Sequence, residues 1–79
     1  MNAFWNYHYK DHLIEIKNST AHTELYVDGV QIDRKEGFFA VELVARLPDG
    51  ENLIVEVKAG FIPKCLVKVN GVVLEAEHS

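Results

Sequence analysis

The stretch LYVDGVQI, residues 25–32, places a tight turn between two alternating strands, and VKVNGVVL, residues 67–74, repeats the pattern forty-two positions on. Asp28-Gly29 and Asn70-Gly71 are dipeptides favoured in two-residue type I′ turns, whose central residues both take positive φ. With that turn fixed, Val27 faces Val30, Tyr26 faces Gln31 and Leu25 faces Ile32. Leu25, Val27, Val30 and Ile32 then form an inward face, and Glu24, Tyr26, Gln31 and Asp33 an outward one. The second hairpin turns Val67, Val69, Val72 and Leu74 inward, with Cys65 on the same side.

The likeness continues upstream, where LIEIK (13–17) matches IVEVK (54–58). Ile14 and Ile16 correspond to Val55 and Val57, and Leu13 to Ile54. Each half thus holds a strand and a tight hairpin, and neither buries its apolar face alone. Packing two such sheets together does. Between them Phe39, Val41, Leu43 and Ala45 alternate with Phe38, Ala40, Glu42 and Arg46, while Val44 interrupts the polar row. Pro48-Asp49-Gly50 signals the next turn. A turn at Lys10-Asp11 sets Trp5 and Tyr7 opposite Ile16 and Ile14, and Pro63 precedes a strand, where its missing donor is tolerable. No segment carries sustained helical periodicity with caps. The expectation is all-β: an antiparallel β-sandwich or flattened barrel of about eight strands, built from two related hairpin units. They fall near 3–9, 12–17, 23–27, 30–34, 38–46, 51–59, 64–69 and 72–76.

Seventy-nine residues suit one domain, residues 1–79. Hydrophobic residues at 48% and charged residues at 25% mark a globular chain rather than a disordered one. A chain this short hides only about 60% of its unfolded surface, so self-association into a homodimer would add stability. The formal charge of −4, without a lysine or arginine stripe, argues against a nucleic-acid partner. Nothing approaches the roughly 20 apolar residues of a membrane span, and the opening MNAFWNYHYKDH is unlike a signal peptide. Cys65 is the one cysteine, which leaves no intrachain disulfide and no cysteine-based zinc site. A cytoplasmic protein is expected.

HLIEIKNSTAHTELYVDGVQIDRK resembles the N-terminal domain of the Fas apoptotic inhibitory molecule family. The likeness rests on His12 before an IE-type strand, a Ser/Thr-bearing connection, the YVDG hairpin and Arg34-Lys35. VEVKAGFIPKCLVKVNGVVLE adds Gly60-Phe61 before a strand and the NG hairpin, and Trp5 has a counterpart too. The resemblance covers residues 5 to 75 and implies an antiparallel β-sandwich. It also implies a non-enzymatic role leaning towards protein interaction, in a family that restrains death-receptor signalling and protein aggregation. Two departures stand out: the family carries two such domains, and Gly37, followed by Phe38-Phe39, replaces its aromatic after Arg-Lys-Glu.

Candidate chemistry is thin. His8 and His12 have the spacing of a helical zinc pair, but on a continuous strand they stand about 13 Å apart, and a turn at Lys10-Asp11 puts them on opposite faces. No metal is expected. Cys65 would need a base and an electropositive setting to act as a nucleophile, and its inward alternation reads instead as a small core residue. Asp28, Asp49 and Glu51 lack calcium-loop spacing and read as turn residues. Ser19, Thr20 and His22 lie in a connection whose backbone they can satisfy. No nucleophile–base pair or phosphate loop emerges, so neither an enzyme nor a cofactor is expected.

The informative anomaly is apolar residues on outward positions: Leu13, Ile54, Leu66 and Val73, with Phe38 and Val44 beside them. Such a patch marks an interaction surface unless bulges have reversed the alternation. The first expectation is therefore a protein-interaction module contacting through Leu13, Ile54, Leu66 and Val73, its partner unidentified. The alternative is a small-ligand or carbohydrate-binding module using Trp5, Tyr7, Tyr9, Phe38 and Phe61, provided those rings line a cleft rather than fill the core.

Overall fold

The computed structural model describes residues 3–37, 40–58 and 61–75. Eight strands follow in order: β1 (Ala3–Tyr9), β2 (His12–Asn18), β3 (His22–Val27), β4 (Val30–Glu36), β5 (Val41–Arg46), β6 (Asn52–Lys58), β7 (Lys64–Val69) and β8 (Val72–Leu74). They form two antiparallel four-stranded sheets, β1-β2-β3-β4 and β5-β6-β7-β8. Both dipeptide turns adopt the backbone that a type I′ hairpin requires, with φ of 53° and 82° at Asp28 and Gly29 and 49° and 82° at Asn70 and Gly71. Among the described residues no helix is long and apolar enough to cross a membrane.

Alternation builds the core. Opposed residues of an antiparallel ladder share a face, so Tyr7, Ile14 and Val27 form one inward row and Trp5, Ile16 and Leu25 the next. The second sheet answers with Leu43, Val55 and Val67, and with Ala45, Leu53 and Val69. The buried members of these rows pack with Leu47 and Val57 into one cluster, and Trp5, Ala45, Tyr9, Val41 and Cys65 lie against its margin. Fully burying a side chain of the Val or Leu class stabilises by about 1.5–3 kcal/mol. The two inner faces thus supply the main force joining the sheets.

Three expectations fail, each for a local reason. The register of β3 and β4 shifts between Leu25 and Tyr26, so Asp33, not Ile32, stands opposite Leu25. Ile32 is the extra residue of a β-bulge and is 45% exposed. The Asp33 carboxylate, expected outside, instead reaches β5, where it accepts the Val44 N–H at 3.1 Å and links the two sheets at that edge. Val30 and Val72 keep their expected partners, Val27 and Val69, but lie on edge strands and are 60% and 65% exposed. The pattern fixed their side without saying whether the opposite sheet would cover them.

The internal repeat also has a different register from the one its letters suggest. Asp28 N–H donates to the Leu13 carbonyl while the Asp28 carboxylate accepts the Leu13 N–H. Asn70 and Asn52 make the same reciprocal pair. Leu13 is therefore the structural counterpart of Asn52, not of Ile54. The slip is two residues, so both Leu13 and Ile54 still face outward. The expected strand limits at 38, 59 and 76, and the expected facings of Phe38 and Phe39, lie outside the described residues.

Candidate functional site

Register turns the apolar anomaly into a surface. On the outer face of the second sheet, Val44, Ile54, Lys68 and Val73 stand side by side across all four strands. The adjoining row holds Glu42, Glu56 and Leu66. Val44 and Val73 are 53% and 51% exposed, and Ile54 and Leu66 are each 36% exposed. A groove of about 270 Å³ lined by Glu56, Lys58, Lys64, Cys65 and Leu66 borders the patch. Leu13 does not join it. It pairs with His8 on the outer face of the first sheet, with the core, about 10 Å thick, between.

A second cluster lies where the turns meet. His12, at the start of β2, sends Nδ1 to the Asp28 carboxylate at 2.8 Å and Nε2 to Asp49 at 3.2 Å. Glu51, just before β6, accepts from Lys10 Nζ at 2.9 Å, from Asn70 Nδ2 at 3.4 Å and from the Tyr9 hydroxyl. The two arms mirror each other through the repeat: each central residue holds its own half's hairpin turn and the first turn of the other half. Their charges are inverted, an imidazole between two carboxylates facing a carboxylate among an ammonium, an amide and a phenol. This network raises the His12 pKa, chiefly through the bond to Asp28, and lowers that of Asp28 in return. Asp49 is lowered first by a backbone N–H and then by His12. Bonding to Glu51 raises both Tyr9 and Lys10.

The chemistry open to these groups is limited. With both ring nitrogens engaged, His12 offers no lone pair to a substrate. Burial pushes the Cys65 thiol up to about 11, so it is a weak nucleophile near neutrality. The Tyr7 hydroxyl donates to the Cys65 carbonyl at 3.4 Å, and burial raises its pKa. His8 pairs with Leu13 and His12 with Tyr9, so the two imidazoles face opposite sides. Among the described residues no group of three His, Cys, Asp or Glu side chains is arranged so that it could hold a metal ion.

Of the expected ligand-binding rings, Tyr7 is buried, Trp5 and Tyr9 pack on the core, and Phe61 is fully exposed. Phe38 lies outside the described residues. Among the described residues, none of the other four rings lines the groove beside Leu66 or the one at the β2–β3 connection. A groove of about 280 Å³ opens instead beside Phe4, Lys17, Asn18, Ser19 and His22. Ser19 and His22 there bond each other, as loop residues satisfying their own connection.

No family model, curated protein or solved structure matches the chain.

Sequence reasoning missed the cluster at the turns because its bonds join residues up to 42 positions apart. A signal was present: Lys10, His12, Asp28, Asp49, Glu51 and Asn70 all lie in or next to a turn.

Proposed function

We propose that this protein is a non-enzymatic interaction module of the cytoplasm that contacts protein through the outer face of its second sheet. The observation that carries the reading is the row Val44–Ile54–Lys68–Val73, which with Leu66 puts four exposed apolar side chains on one continuous face. Isolated exposed apolar residues are ordinary, but a row spanning a sheet is the form that interaction surfaces take. The reading takes Ile54, Leu66, Val73 and Val44 as the contact residues and leaves out Leu13, which lies on the first sheet. The reading assigns first occupancy to a second copy of the chain, because a domain this small gains most from covering such a patch. The resemblance to the Fas apoptotic inhibitory molecule family points the same way, towards partnership rather than turnover.

Size-exclusion chromatography with light scattering tests this. Wild-type protein is expected to gain mass with concentration, Ile54→Asp to remain a folded monomer, and Leu13→Asp to behave as wild type. A wild-type chain still monomeric at millimolar concentration would refute self-association.

A further inference from the structure

We infer that His12 is a pH-set clasp, doubly protonated when closed, whose deprotonation releases Asp49, on the β5–β6 turn, from the first sheet. Both ring nitrogens face carboxylate oxygens, Asp28 at 2.8 Å and Asp49 at 3.2 Å. A carboxylate only accepts, so both bonds exist only when both nitrogens carry hydrogen. The neutral ring has one N–H to give and turns a lone pair towards the other carboxylate. The His12 side chain is only 16% exposed, which limits how far water can substitute for the lost donor.

Geometry decides which bond opens. Asp28 lies closer, and its second carboxylate oxygen accepts the Leu13 N–H at 2.8 Å, so it is fixed from β2 as well. Asp49 sits on a turn held by backbone bonds among Leu47, Gly50 and Glu51, and it is the partner that belongs to the other sheet. The neutral ring keeps its hydrogen on Nδ1 for Asp28 and lets Asp49 go. Lys10, 3.8 Å from Asp49, is the other cation facing that carboxylate, but it already bonds Glu51 at 2.9 Å. The mirrored arm of Glu51, Lys10, Tyr9 and Asn70 contains no group that ordinarily titrates near neutrality, so only one arm of the clasp responds there.

The direction follows from linkage. The His12 pKa is raised on folding, so its contribution is complete below the ordinary value of 6.5 and disappears as pH rises through the higher folded value. Asp28 and Asp49 are lowered, so theirs is present above the ordinary carboxylate value of 3.8 and lost as pH falls through the folded values. The clasp closes in the interval between.

Nuclear magnetic resonance of the wild-type chain tests this directly. Both His12 ring nitrogens are expected to be protonated at pH 5.5, with a titration midpoint above 6.5. As pH rises through that midpoint, protection of the Gly50 amide, corrected for intrinsic exchange, should fall by up to about tenfold per pH unit. Protection of core amides such as Val55 should fall less. His12→Gln should abolish this step, while His8→Gln and His22→Gln retain it. A His12 midpoint at or below 6.5, a ring with a single N–H at pH 5.5, or an unchanged step in His12→Gln would overturn the inference. If His12→Gln does not fold, Asp49→Asn supplies the second variant: it should leave Gly50 protection flat across the same range, and a retained step would count against the clasp.

Discussion

Leu25→Ala and Ile32→Ala separate the bulged register from the one that simple alternation gives. In a regular hairpin these residues would face each other on the inward side of the sheet. In the structure Leu25 is fully buried and Ile32 is 45% exposed at the bulge. Leu25→Ala removes a buried side chain from a site walled by Ile16 and its neighbours, and such changes cost about 2–5 kcal/mol, so about 3 is a central value. Ile32→Ala removes three carbons worth about 0.8 kcal/mol each when buried, roughly half of which is already in water, giving about 1 kcal/mol. A domain of this length has about 4–12 kcal/mol of stability in total, so the first change alone threatens the fold. Urea unfolding followed by tryptophan fluorescence at Trp5 measures both. With a slope of about 1 kcal/mol per molar urea, the midpoints should drop by about 3 M and 1 M. Equal losses would refute the bulge assignment.

Gly29→Ala and Gly71→Ala should each cost about 1 kcal/mol by thermal unfolding, because both sites have φ of +82° and no atom within 4 Å of an added methyl, leaving backbone strain as the sole cause. Unequal costs would show that one methyl meets something. The Cys65 thiol, raised from 9.0 to about 11, should react with iodoacetamide at pH 7.5 about 100-fold more slowly than an ordinary thiol and recover that rate in denaturant. A fast native reaction would refute the burial argument.

The strands were legible because their signals are local. Asp28-Gly29 and Asn70-Gly71 name a turn type, period-two alternation names a face, and the pairings of Trp5 with Ile16 and Tyr7 with Ile14 follow from one turn at Lys10-Asp11. What escaped depends on more than neighbours. Ile32 is as apolar as a core residue, and the bulge that expels it coincides with a bond from Val44 N–H to the Asp33 carboxylate across the sheet edge. The repeat misled for a related reason: LIEIK and IVEVK match by letters, whereas the reciprocal bonds of Asp28 with Leu13 and of Asn70 with Asn52 fix the ladders two residues away. The exposed apolar face was half legible. Ile54, Leu66 and Val73 could be placed outward from alternation, but only the sheet order shows that Leu13 is on the far side. The clasp depends on where four separate turns end in space, which no short-range pattern encodes.

Among the described residues every hydrogen-bonded ladder joins strands that are consecutive in the chain, and the first sheet ends with β4 where the second begins with β5. Each sheet can therefore zip up from its own turns with short loops to close, the inexpensive kind of closure for a β protein. The contacts most distant in sequence are then those between the valine and leucine faces of the two meanders, so it is the docking of the sheets, not the pairing of strands, that spans the longest stretches of chain.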